Sequence, residues 1–581
     1  MDISIVSGTF NRLASLQRMV ASVRDGFAGL NGLRYEIVLV DGGSDDGTLE
    51  WCRSQDDVNL IEQGQLLGAV KAFNEGAFKA TGQYVVLAND DIQFIGDSIW
   101  RAYVYMQTHN DCGIGCFYQD RNGRDWHVEE MPCQENGQQV HRPYGQVCIV
   151  PKWLGDYVGW WGTYLHTYGG DNELSSRVYN LGFKVSPVPG ARIHDNEIQD
   201  DLRKINNIQG GKDPRAVRGH HPDSWAWGKH WRDKSTGLVG PVIKPGPVIE
   251  YQTVTKERTV YLPIYEQGWP VQKEQKRGLR EALSKVGIVA EFDYVSYDSQ
   301  EQMLTDLQTL MERVEPTLFL SQIHNGGQIS GAAIRMLRQV FPDTKFVNWN
   351  GDFWPEQLLN EAGLDLAKSF DLQLIINREV LDKYPALGVN GDYWQIGFEP
   401  DGIGHQPSAT HDVVFLASGY SKARQQLVKK LRSLNGFSFG LYGQGWPDGW
   451  AKGENLYNFK EACSAYRGAK ISLGDSQWPD SGFVSNRVFQ ALAAGGSVLA
   501  HQWFRDMDHL GLIDGQTCII WQDFNELERK VRYYLAHEDK RRQIAEAGER
   551  LALDQHSFDN RVQELFQMLQ RETAIEEDWR W

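Results

Sequence analysis

The chain has 581 residues, more than one hydrophobic core usually organises, so two to four domains are expected. A formal net charge of −17 argues against gripping bulk nucleic acid through its phosphates, although it does not exclude an active site that works on a single base. Hydrophobic content of 41% with 23% charged residues is that of a soluble globular protein; the seven cysteines lack the paired spacing of a zinc site, and no apolar run approaches the roughly 18 residues that span a bilayer. "MDISIVSGTF" leads straight into a strand with no signal-peptide pattern, so a cytoplasmic protein with reduced thiols and no transmembrane segment is expected.

In chain order, "ISIVSGTF" (3–10) reads as a strand, followed by a helix to about Arg24. "YEIVLVDGG" (35–43) is a second apolar strand, ending in Asp41. A short helix, a third strand at 58–63 and a helix at 68–80 follow, and then "YVVLANDDI" (84–92). Strands alternating with helices predict a parallel α/β sheet with ligands at the carboxyl ends of its strands, where Thr9, Asp41 and Asp91 all fall. A buried strand that ends in Asn89-Asp90-Asp91 offers side-chain oxygens to a hard cation, which can share its open positions with phosphate. From 100 to 195 the pattern is less regular, 196–235 is polar, and the Pro/Gly-rich 236–256 reads as an extended linker.

A second alternation has strands expected at 258–265, 315–324, 344–352 and 370–377, and a third at 412–420, 437–446 and 469–477. The helix "SNRVFQALAAGG", the strand "SVLAHQ" and a charged helical tail over 524–570 complete it. His324 and Asp352 end strands of the first half, and either is a candidate base as well as a plain loop or capping residue. A Gly-rich turn followed by a helix N-terminus offers N–H groups to a diphosphate, and Arg487 can add a bidentate grip.

"IVSGTFNR", "EIVLVDGGSDDGT", "GAVKAFNEGAFKATGQYVVLANDDI" and "YGGDNELSSRVYNLGFKV" occur in that order, and the set resembles family 2 glycosyltransferases, which have the GT-A fold. The resemblance implies nucleotide contacts from Thr9, Asn11, Arg12 and Asp41, with Asn89 and Asp90 beside them. It implies Mn²⁺ or Mg²⁺ at Asp91 and His194, and Asp171 as catalytic base with Glu173 as fallback. Gly170 stands where the family carries Glu, and Phe73 where it carries Arg. "SLGDSQWPDSGFVSNRVFQALAAGGSVLA" resembles the nucleotide-binding half of GT-B, group-1-like transferases related to spore-maturation (CgeB-like) proteins. That likeness implies donor contacts from Gly419, Arg424, Gly443, Asn486, Arg487 and Gln490, without a metal.

The expected architecture is α/β: a GT-A nucleotide-diphospho-sugar transferase domain (1–235), a linker (236–256), and a GT-B module of two Rossmann-like domains (257–405 and 406–581). The expected activity is transfer from UDP-, GDP- or dTDP-sugars to a hydroxyl on a glycan, a protein or a modified nucleobase. The GT-A module would be metal-dependent and inverting, and the GT-B module metal-independent. The alternative keeps only the first module catalytic, the second serving acceptor binding or assembly.

Overall fold

The computed structural model describes residues 1–121, 126–196, 198–209, 223–244, 246–247, 256–263, 270–324, 329–351, 354–399, 411–451 and 459–578. The chain forms two compact units, Met1–Lys256 and Glu257–Trp581.

The strands of the first unit are β1 (Ile3–Thr9), β2 (Leu30–Asn31), β3 (Tyr35–Asp41), β4 (Val58–Glu62), β5 (Tyr84–Leu87), β6 (Ile92–Phe94), β7 (Cys112–Arg121), β8 (Glu130–Glu135), β9 (Gln138–Pro143), β10 (Cys148–Pro151) and β11 (Lys184–Asp195). Among the described residues its main sheet runs β4-β3-β1-β5-β10-β7-β11-β6. β4, β3, β1 and β5 are parallel, in a register that brings Thr9 level with Asp41 and Val6 level with Leu87. β1, β3 and β5 are almost wholly buried and rich in Ile, Val and Leu, as both faces of a parallel sheet require, while β4 is the partly exposed edge. On one face the helix Ala69–Lys79 lies so close that a Cβ at Gly76 would sit 2.5 Å from Val6. The carboxyl ends of β1, β3 and β5 therefore open together on one edge.

The region 100–195, irregular as sequence, completes this sheet. β10 runs antiparallel to β5 and β7, and β11 runs parallel to β7 but antiparallel to β6. β7, "CGIGCFYQDR", is poor in β-formers because its glycines admit neighbours. A Cβ at Gly113 would meet Val178 at 2.6 Å, and one at Gly115 would meet Ile149 at 2.9 Å. The expected linker is also partly docked: Gln134 of the β8–β9 hairpin accepts from Ile243 and donates to Pro241, while Gly240 packs on Pro132.

The second unit holds two parallel sheets. The first comprises β12 (Glu257–Leu262), β13 (Gly287–Glu291), β14 (Leu318–Ser321), β15 (Lys345–Asn350), β16 (Leu372–Ile375) and β17 (Gly391–Tyr393), in the order β17-β16-β15-β14-β12-β13. The second comprises β18 (His411–Leu416), β19 (Phe439–Tyr442), β20 (Ala469–Gly474), β21 (Val498–Gln502) and β22 (Ile519–Trp521), in the order β19-β18-β20-β21-β22. One assignment changes. The helix Phe558–Asp578, expected with the second sheet, puts Phe558, Val562 and Leu565 into the core of the first, beside Leu279, Leu283 and Trp394. Among the described residues no helix is long and apolar enough to cross a membrane, and all seven cysteines are buried thiols outside any disulfide.

Candidate functional site

At the carboxyl edge of β1, β3 and β5 lies a cleft with a cavity volume of about 180 Å³, lined by Thr9, Arg12, Asn89, Asp90, Asp91 and Asp171 among others. Six residues named from the sequence meet here.

Arg12 is the hub. Its Nη1 donates to Asp90 (2.7 Å) and Asp91 (3.1 Å), and its Nε and Nη2 donate to Asp200 (2.7 and 3.0 Å). Thr9 Oγ1 donates to the other oxygen of Asp90 (2.9 Å), and Ser15 Oγ caps its carbonyl. Arg203, from the helix Asp201–Gln209, reaches Asp91 at 3.2 Å. Burial opposes the charge of Arg12, but Asp200, Asp90 and Asp91 hold it firmly protonated. Burial also pushes Asp90 up to about 6, against Arg12 and with the help of Asp91. Asp91 is raised too, by burial and by the charge of Asp195, against Arg12 and Arg203.

Asn11, which is exposed, and Asp41 are not among the residues that line this cleft. Asn11 adopts φ 50°, which Asn tolerates, and its amide exchanges two 2.8 Å hydrogen bonds with Asp45. Asp41 is fully buried and accepts from Gly43 N–H, Ser44 N–H and Ser44 Oγ. Asn11 thus joins the loop after β1 to the loop after β3, while Asp41 organises the latter from within, and neither lines the cleft where the resemblance implies nucleotide contacts.

The metal pair is not assembled as expected. Alternation along β11 sends neighbouring side chains to opposite faces. Asp195 is the residue whose charge acts on Asp91, while the exposed His194 bonds Asp120 at 3.2 Å and stacks near Trp126. Among the described residues no group of three or more His, Cys, Asp or Glu is arranged to hold a metal. The donor set still suits a divalent cation in one respect. Asp90, Asp91, Asp195 and Asp200 outnumber Arg12 and Arg203, so the cluster carries more carboxylates than cations. Of this set, Asp90 and Asp91 line the cleft, where carboxylate oxygens suit a hard cation that shares its shell with phosphate and water.

Asp171 opens the helix Gly170–Asn180 and faces the cleft. Glu173, the fallback base, is corrected. It is wholly buried and takes hydrogen bonds from Tyr164 (2.6 Å), Trp231 (2.6 Å) and Arg177 (2.9 Å), which leaves it no route to a substrate. Sequence reasoning missed Asp200 and Arg203, and also Asp223, whose buried carboxylate accepts from Thr167 and Tyr168 N–H and so holds the loop before Asp171. All three lie in the polar stretch 196–235, whose only signal was charge.

The second unit gathers its candidates less well. Arg424 is paired with Asp475 (2.7 Å) and donates to Ser418; both partners of the ion pair are partly buried. With Arg487 they border a cavity of about 30 Å³. Asn486 and Gln490 face a different cavity, of about 10 Å³, beside Glu399. Gly419 and Gly443 are packing glycines: a Cβ on the first would strike Trp446 at 2.4 Å, and Gly443, at φ 119°, lies against the Ala417 carbonyl. His324 lies three residues past the end of β14, half-buried, with its carbonyl taken by Asn350, and Asp352 lies outside the described residues.

Residues 4–157 match the family described as "Glycosyl transferase family 2", and residues 424–567 match "Glycosyl transferase-like". The first match ends before Asp171. Curated relatives include a dolichol-phosphate mannosyltransferase of Pyrococcus furiosus, 28% identical over 20% of this chain and 34% of its own length. Another is the glycosyltransferase GlyG of Streptococcus pneumoniae, 34% identical over 17% of this chain and 38% of its own length. The chain thus spans little more than a third of each. Similar solved structures include an S. aureus TarS fragment with UDP-GlcNAc (17% identical, 35% of this chain and 60% of that one, TM-score 0.29). Anabaena HepE with UDP and glucose is 11% identical over 54% of this chain and 100% of that one, at TM-score 0.39.

The raised Asp90 has a consequence for stability. A carboxyl whose folded pKa exceeds its ordinary value destabilises the fold once ionised, so its cost is absent at low pH and sets in between about 4 and about 6. Thermal midpoints of wild type and Asp90→Asn, measured from pH 4 to 8, should therefore shift in favour of the variant as pH rises through that window and stay parallel above it.

Proposed function

With a family 2 glycosyltransferase domain at residues 4–157 and a glycosyl transferase-like domain at 424–567, we propose that the first unit transfers a sugar from a nucleotide-sugar to a hydroxyl acceptor by single displacement with inversion. The observation that carries this reading is the meeting of Thr9, Arg12, Asn89, Asp90, Asp91 and Asp171 in one cleft at the carboxyl edge of a parallel sheet. Asp171 takes the proton of the acceptor hydroxyl as the new bond forms. Arg203 lies within the cleft wall, where its guanidinium can meet diphosphate oxygens. Bound Mn²⁺ or Mg²⁺ at Asp91 would supply Lewis-acid charge to the departing diphosphate.

We assign the second unit to acceptor binding or assembly. Arg424 is neutralised internally by Asp475, and the cavity beside Arg487, about 30 Å³, is smaller than the first unit's cleft, about 180 Å³, which supports this choice over a second donor site.

Asp171→Asn should lower transfer by about 100-fold or more while leaving nucleotide binding near wild type. Retained transfer would refute Asp171 as base. Arg487→Ala should leave transfer from any nucleotide-sugar unchanged. A loss with that variant would restore the two-transferase reading.

A further inference from the structure

Between the donor-side helix Ala69–Lys79 and the helix that starts at Gly170 stands one indole, that of Trp161, which is buried and lines the cleft. On one side its ring stacks on Phe73, with centroids 4.4 Å apart and planes 32° apart. Its backbone is clamped by the next residue of the same helix: Asn74 Nδ2 donates to Trp161 O and Asn74 Oδ1 accepts from Trp161 N–H, both at 2.9 Å. On the other side it touches Gly170 so closely that a Cβ there would lie 2.2 Å from the ring. Gly170 immediately precedes Asp171.

The chain works against its own preferences to present this ring. Trp160, just before it, holds φ 56°, a left-handed conformation disfavoured for a bulky L-residue. Its own ring is received by Gly155, where a Cβ would lie 2.2 Å away, and its Nε1 is tied to Asp156. Strain of this kind persists where the surroundings over-determine it, as they do at functional sites. The indole Nε1 of Trp161 finds no protein partner among the described residues, so stacking and the backbone clamp hold the ring.

We infer that Trp161 is a positioning residue that sets the distance between the donor-side helix and the base Asp171 by filling the space between Phe73 and Gly170. This inference rests on the reading of Asp171 given above. Phe73 and Gly170, where the resemblance implies Arg and Glu, both meet at this ring. Trp161 acts on the placement of the base and leaves donor binding to Thr9, Arg12 and Asp91.

The test is a double-mutant cycle on the full chain, with kcat, KM for the acceptor and equilibrium nucleotide binding measured for each variant. Gly170→Ala pushes a methyl into the ring and should lower kcat by about 10- to 100-fold, as misplacement of a reacting group does, with nucleotide binding unchanged. Trp161→Ala should lower kcat similarly, and Trp161→Phe, which keeps a stacked ring and loses no hydrogen bond, should recover most of it. In the Trp161→Ala background, Gly170→Ala should cost nothing further, because the atoms it strikes are gone. If the two costs multiply, or if both variants keep wild-type kcat while Asp171→Asn is inactive, Trp161 does not position the base. Transfer that survives Asp171→Asn removes the base itself, and the inference with it. Should Trp161→Ala fail to fold, Gly170→Ala with and without Trp161→Phe carries the same comparison. The smaller ring must then relieve at least part of the Gly170→Ala loss, and no relief overturns the inference.

Discussion

A single buried cation holds the first unit's cleft together. Arg12 reaches from the turn after β1 to the Asp90-Asp91 turn after β5 and to Asp200 beyond β11. Two adjacent buried carboxylates would repel each other and lack solvation without it. Thr9 and Ser15 complete the satisfaction of Asp90, and Arg203 adds a second cation at Asp91. The loops that carry Arg12, Asp90, Asp91, Asp200 and Arg203 are thus fixed to one another by charge. The site remains short of positive charge, which is the condition a cation accompanying a diphosphate would meet.

The second unit uses the same elements to another end. Its loops also emerge at the carboxyl ends of parallel strands and also carry arginines. There Arg424 closes on Asp475, and the space beside them is about 30 Å³ against about 180 Å³ in the first unit. The return of Phe558–Asp578 to the first sheet's core, with Trp394 Nε1 donating to the Arg561 carbonyl, ties the two sheets of that unit into one body.

The parallel strands were legible because strands buried on both faces are unbroken apolar runs. The antiparallel additions were not, since β7 spends glycines on close packing where a strand ordinarily shows β-branched residues. Within the site, Thr9, Arg12, Asn89, Asp90, Asp91 and Asp171 could be read because their motifs lie next to recognisable strand ends or helix starts. His194 and Asp195 differ only by the parity of a strand, and sequence without a register does not choose between them. Asn486 and Gln490 are one helical turn apart and share a face, whereas Arg487 lies about 100° round the axis and looks into another cavity. Glu173 had the right chemistry for a base, but its three donors come from Tyr164, Arg177 and Trp231, which only the folded chain brings together. Trp161 was one of 20 tryptophans, and nothing local marked it.

The account rests on one donor site per chain, seated at Asp91. Equilibrium titration of the full chain with a nucleotide-sugar that it binds, in the presence of Mn²⁺, measures this directly. The predicted result is a stoichiometry of one, with binding lost in Asp91→Ala. Two sites per chain, or binding that survives Asp91→Ala unchanged, would contradict it.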